Sequence, residues 1–157
     1  MSFQSALTFT LAREGGKVDD PSDPGGRTNL GITQRVWADW RESYDPDLPV
    51  DVWDATGEQV GPLYESVYWR GAGCDHLPEG PALALFDSAV NLGVNEALAL
   101  WHRVNGDVNA FLWARLGFYT DLARSKPELV KFLPGWCRRV LLLRDATLKV
   151  STSSSEV

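Results

Sequence analysis

The chain has 157 residues, 44% hydrophobic, 23% charged and 11% aromatic, with seven tryptophans. That composition excludes intrinsic disorder, a collagen-like repeat and a disulfide scaffold, and one domain of this length can hide roughly two thirds of the surface its unfolded chain exposes. The net charge of −6 is uneven, with six basic and sixteen acidic side chains in residues 1–100 against nine and four in residues 101–150. No basic cluster is interleaved with aromatics, which argues against nucleic acid as a partner, since phosphate neutralisation supplies most of that affinity.

Over residues 2–13, Phe3, Leu7 and Leu11 recur at helical spacing, and Glu14 follows on the same stripe, so a carboxylate continues an apolar face. Gly15 and Gly16 end this helix. Residues 17–30, KVDDPSDPGGRTNL, are dense in turn formers and predict a long loop or a small β-hairpin. Thr33 can cap the next helix, with Ile32 stapled onto Trp37 and Trp40 continuing the face. Residues 42–55 read as an acidic surface connection. Thr56-Gly57-Glu58-Gln59 has the form of a capping box, with Val60, Leu63, Tyr64, Val67 and Tyr68 at helical spacing behind it. Pro62 argues for a slightly later start.

After a loop over residues 71–80, Pro81 opens ALALFDSAVNLG, apolar on nearly every side and so expected in the centre of the domain. Helical patterns over residues 94–104, 107–123 and 136–150 follow, the last amphipathic through Trp136, Val140, Leu143 and Thr147. Residues 151–157 read as a frayed polar tail. The pattern predicts one mainly α domain over residues 1–150, with one small hairpin or loop region after the first helix.

Most catalytic plans lack their residues. Two histidines, His76 and His102, without HExxH or paired CxxC, offer too few spaced ligands for zinc, so no metal and no cofactor are expected. There is no GxSxG elbow and no GxxxxGK[ST] loop. Cys74 and Cys137 are expected to be reduced, partly buried thiols. No apolar run is long enough to span a bilayer, and the first residues lack the form of a cleavable leader. The expectation is synthesis in the cytoplasm without a signal peptide, and no membrane insertion.

Carboxylate chemistry remains. Glu14 lies where an apolar helix face meets a glycine-rich exit, so its charged form is poorly solvated, the setting a general acid requires. The alternative, a surface glutamate at a helix C-terminus, is disfavoured by the helix dipole. Asp87 and Asn91 stand at i, i+4 on the central helix and share a face, either as a polar network supporting the Glu14 helix or with Asn91 reaching a binding cleft. Trp37, Tyr68 and Trp69 offer either core packing or flat faces for a sugar.

Four stretches together carry a resemblance: LAREGG at residues 11–16; DDPSDPGGRTNLGIT at residues 19–33 with Trp37 behind it; Tyr64, Tyr68 and Trp69 in LYESVYWRGAGCDHLPEG; and Phe86, Asp87, Val90 and Asn91 in ALFDSAVNLG. They resemble the signature of glycoside hydrolase family 108, the phage and bacterial N-acetylmuramidases, over residues 5–93. A weaker match through Arg115, Phe118 and Tyr119 to Gly135, Trp136 and Arg139 looks like the end of the peptidoglycan-binding-type region that usually follows.

The resemblance implies a lysozyme-like fold with a catalytic part over residues 1–93 and an abbreviated C-terminal helical part over residues 94–150. It implies cleavage of the β-1,4 bond between N-acetylmuramic acid and N-acetylglucosamine in peptidoglycan glycan strands, with Glu14 as catalytic acid. Asp23 and Thr28 resemble, in order and approximate spacing, the Asp and Thr that follow the acid in phage-type lysozymes; Asp19 and Asp20 compete with Asp23 for the role of second carboxylate, and turn formation is the alternative for all three. If Asp23 and Thr28 position a water, the outcome is inversion. Beside these, Asn91, Tyr68 and Trp37 are the residues expected to contact substrate, with a structural network for Asn91 and core packing for the two aromatics as the alternatives.

The resemblance further implies a monomer acting on the cell wall after holin-type release, or in a phage particle. The chain departs from the family at Lys17, where an aromatic is usual, and in lacking a DGxxGxxT stretch after Asn91. A lytic transglycosylase and an inactive wall-binding module are the rival readings. The basic excess in residues 101–150 suggests that Arg138, Arg139 and Arg144 face the anionic wall.

Overall fold

A computed structural model describes residues 2–19 and 27–153. Helix α1 (Phe3–Leu11) starts where the Ser2 hydroxyl accepts the Ser5 N–H and buries Ala6, Leu7 and Thr10. It ends before residue 13; a turn then carries Arg13 and Glu14, with the Glu14 N–H still bonded to the Thr10 carbonyl at 3.2 Å.

The expected hairpin forms, later in the sequence than its turn formers suggest. Strands β1 (Thr28–Asn29) and β2 (Ile32–Thr33) pair antiparallel, Thr28 opposite Thr33 and Asn29 opposite Ile32. Leu30 and Gly31 join them with φ of +51° and +76°, the left-handed pair whose twist suits a two-residue hairpin. Val18 adds a bridge to Thr28, with both N–H···O distances 2.8 Å. The residues between, 20–26, lie outside those described.

Helix α2 (Gln34–Tyr44) begins as expected, with the Thr33 hydroxyl accepting the Val36 N–H and Ile32 and Trp37 both buried. The connection over residues 42–55 is not merely a surface one. A 3-10 turn, Val52–Asp54, buries Val52, and the buried Asn29 amide donates to the carbonyls of Val52 and Ala55 at 2.9 and 3.2 Å. The hairpin is thereby tied down by a segment whose acidic composition hid two inward carbonyls.

Helix α3 (Gly57–Leu63) carries the complete capping box and starts ahead of Pro62, not after it. An interior proline costs about 3 kcal/mol. Wholly buried Val60, Leu63 and Tyr64 outweigh it, at about 1.5 to 3 kcal/mol per side chain for the aliphatic pair alone. The chain continues through a wider π-type turn, Tyr64–Arg70, and a 3-10 turn, Cys74–His76.

Helix α4 (Glu79–Leu92) is the centre, as its sequence predicts: residues 82–89 are all buried. Around it pack α1, α5 (Val94–Arg103), α6 (Val108–Ser125) and α7 (Leu133–Ser153). Helix α7 starts three residues before the expected position because Pro134 falls in its first turn, where no N–H is required. Among the described residues no helix is long and apolar enough to cross a membrane.

Candidate active site

Glu14, in the turn that ends α1, is 13% exposed, and its Oε1 accepts a hydrogen bond from Arg139 Nη2 of α7 at 2.7 Å. The other oxygen lies against the hairpin turn. A Cβ placed on Gly31 would stand 2.7 Å from Glu14 Oε2 and 2.8 Å from the Tyr64 hydroxyl, so the close approach, together with the positive φ, requires glycine. The Tyr64 hydroxyl donates to the Leu30 carbonyl at 2.5 Å, fastening the turn to the helical body. Burial, and next the Glu14 charge, push both the Tyr64 and Tyr68 hydroxyls above the ordinary tyrosine range, so each remains a proton donor at neutral pH.

Behind Glu14 runs a buried polar network. Arg139 donates through Nε and Nη2 to Asp87 at 3.0 and 2.9 Å, and Arg115 Nη1 donates to the same carboxylate at 2.8 Å. Arg115 also reaches Ser88, Asn91 and the Tyr119 hydroxyl, which itself donates to Asn91 Oδ1. Burial alone would raise the Asp87 pKa, but the Arg115 and Arg139 guanidiniums hold it below the usual carboxylate range. Arg139, despite its own burial, is raised by Asp87 and then by Glu14. Asp87 bridges the two guanidiniums and the Glu14 carboxyl accepts from Arg139, so each buried charge has a hydrogen-bonded partner, the condition under which charges can be kept this far from water.

A groove of about 560 Å³ opens beside Glu14, lined by Arg13, Asn91, Trp136, Arg138, Arg139 and Leu142 among others. Trp136 is half-buried and stacks on Tyr119 at 4.9 Å between ring centroids, giving the groove an apolar wall. A second groove of about 580 Å³ lies between α1 and α3, where Phe3, Leu7 and Leu11 supply an apolar lining without Glu14. Chemistry, not size, separates the two.

Of the residues singled out by sequence, Glu14 and Asn91 meet at the first groove. Asn91 lines the groove while its Oδ1 is held inside the network. Tyr68 is half-buried beside Tyr64, 5.3 Å between centroids. Thr28 is half-buried in β1 of the hairpin whose turn meets Glu14. Asp20 and Asp23 lie outside the described residues, and Asp19 is exposed, 3.6 Å from the Arg27 guanidinium.

Trp37 requires a correction. It is wholly buried with Nε1 donating to the Pro49 carbonyl, so neither ring face is open to a sugar; the staple that starts α2 takes it into the core. Arg139 likewise is not on a wall-facing surface, because Asp87 and Glu14 draw it inward, while Arg138 and Arg144 are exposed. Glu14 sits against a guanidinium rather than in apolar surroundings. Sequence reasoning missed the joint role of Arg115 and Arg139. The available signal was that each interrupts an apolar stripe of its helix, as Glu14 does in α1.

Cys74 and Cys137 are unbridged. Burial, and then Asp75, push the Cys74 thiol up to about 12, which makes it a poor nucleophile.

A mainly α body with a carboxylate fixed at a groove and backed by a small hairpin is the architecture of a lysozyme-like glycoside hydrolase. The family model described as Glycosyl hydrolase 108 matches residues 7–93, more than half of the chain, and the chain belongs to that family. Among solved structures it is similar to that of Brucella abortus SagA, with a TM-score of 0.75, 27% identity and 95% of each chain covered. No curated protein matches it. The protein is a glycoside hydrolase, of a family that acts on peptidoglycan. Arg115 and Arg139 lie outside the family match, so residues beyond it complete the surroundings of Glu14.

Proposed function

We propose that the protein hydrolyses the β-1,4 bond between N-acetylmuramic acid and N-acetylglucosamine, with Glu14 as general acid and lysis of the bacterial wall as the outcome. The observation that carries this reading is the fixing of Glu14 at the groove, one oxygen on Arg139 and the other against Gly31. As Glu14 gives its proton to the glycosidic oxygen, negative charge grows on a carboxylate already hydrogen-bonded to a guanidinium, so the stabilisation increases along the reaction coordinate. Arg139 therefore acts as a positioning residue, held in place by Asp87.

In this reading Asp23 and Thr28 position the attacking water on the hairpin side, giving inversion, while Asn91 and Tyr68 contact the sugar. Support comes from the hairpin, which brings Thr28 within one turn of the segment touching Glu14. The enzyme acts as a monomer on the wall, reached by holin-type release or within a phage particle. Mass analysis of fragments from isolated sacculi, with NMR of the first-formed anomer, tests the scheme. Reducing muramic ends with an inverted anomer are expected, whereas 1,6-anhydro ends would identify a lytic transglycosylase and no fragments at all a wall-binding module.

A further inference from the structure

The groove beside Glu14 carries more positive charge than cleaving a neutral sugar requires. Gly135, Arg138, Arg139 and Leu142 recur at i, i+3, i+4 and i+7 on α7, so one face of that helix forms a wall of the groove, with Arg13 at the end of α1 also lining it. Arg139 is neutralised by Glu14 and Asp87. Arg138 is exposed and, among the described residues, has no acidic partner. Arg13 donates to the Phe9 carbonyl and lies over the Phe9 ring, 3.4 Å from its centroid, leaving a buried Nε without an acceptor. Among the described residues neither the Arg13 nor the Arg138 guanidinium is ion-paired with a carboxylate, and both line the groove with the candidate acid. A guanidinium fork suits a planar, bidentate anion.

We propose that Arg13 and Arg138 form a subsite for the carboxylates of the stem peptide borne by the glycan, so that the enzyme prefers peptide-substituted strands to bare ones. This rests on the peptidoglycan reading above. The stem peptide is attached to the muramic sugar whose bond Glu14 would break, so its carboxylates recur at every cleavage site, whereas phosphate of wall polymers does not. Trp136 and Asn91 remain for the sugar itself, which divides the groove into a neutral and an anion-binding part.

The test compares three substrates: sacculi, sacculi freed of phosphate polymers by hydrofluoric acid, and glycan strands freed of stem peptides by an amidase, with the lactyl carboxylate so exposed capped as its methylamide. Wild-type kcat/KM should be about tenfold higher on both peptide-bearing substrates, the effect of one charge-assisted hydrogen bond. Arg138→Glu and Arg13→Gln should each bring the ratio of peptide-bearing to bare rates towards one, mainly through KM. A merely structural role would lower both rates in proportion and leave the ratio unchanged. A wild-type ratio near one, an unchanged ratio in Arg138→Glu, or a preference lost on phosphate removal overturns the subsite. Failure to cut any substrate overturns the hydrolase reading instead; the subsite then stands or falls on binding of a soluble stem tripeptide to the wild-type chain, which Arg138→Glu should abolish.

Discussion

Glu14 and Arg139 share a 2.7 Å hydrogen bond across 125 residues of chain, and what each does depends on Asp87 behind them. Replacing Glu14 by Gln keeps the shape and an acceptor for Arg139 but removes the proton that the proposed mechanism transfers; lysis of sacculi should then fall by about a hundredfold or more, with a melting curve close to wild type. Asp87→Asn has the opposite signature. It leaves two buried guanidiniums short of a carboxylate, and urea unfolding should report a loss of about 3 to 5 kcal/mol. The pH dependence follows from the depressed Asp87 pKa. The stabilisation is fully present above the unfolded value of about 3.9 and is lost as pH falls from there through the lower folded value. Melting temperature measured from pH 6 to pH 2 should therefore fall more steeply in wild type than in Asp87→Asn; equal slopes would remove Asp87 as the origin.

At the level of elements, the hairpin and α3 offer a contrast. In Gly31→Ala the new methyl must adopt a left-handed backbone, at about 1 to 2 kcal/mol, and meets Glu14 Oε2 at 2.7 Å. Because small misplacement of a catalytic group can cost about a hundredfold, kcat should fall far more than the modest drop in melting temperature would suggest. Thr56→Ala removes the capping box of α3, whose residues are not among those lining the groove beside Glu14. It should lower stability by about 1 kcal/mol and leave kcat unchanged. Parallel losses in both variants would mean that the hairpin affects activity only through stability.

On the scale of the whole molecule, the family match ends at residue 93 while the structural unit does not. Helix α4 is buried along residues 82–89 partly by α5, α6 and α7, and Asp87 meets both of its guanidiniums only through α6 and α7. A fragment of residues 1–93 would expose that apolar helix and leave Asp87 without a cation. Circular dichroism and hydrogen exchange should find it largely unfolded and without slowly exchanging amides; a stable, cooperative fold would show that the C-terminal helices are accessory.

Much of this was legible in the sequence, because helix periodicity, caps and glycine punctuation act over a few residues. The capping box at Thr56, the Ile32–Trp37 staple, the central place of α4 and Glu14 as a charge on an apolar stripe are all local patterns. The same local view erred where a distant partner decides. Trp37 is drawn wholly into the core, residues 52–55 are held by the Asn29 amide, and Arg139 turns inward to two carboxylates. Periodicity, caps and turn formers were enough for the helices, the hairpin and the place of Glu14 and Asp87 on apolar faces, and left the part of two further charges, Arg115 and Arg139, open. Only the tertiary structure decided that these four pair with one another, because the attraction between charges, and the cost of burying them, depend on their separation in space rather than along the chain.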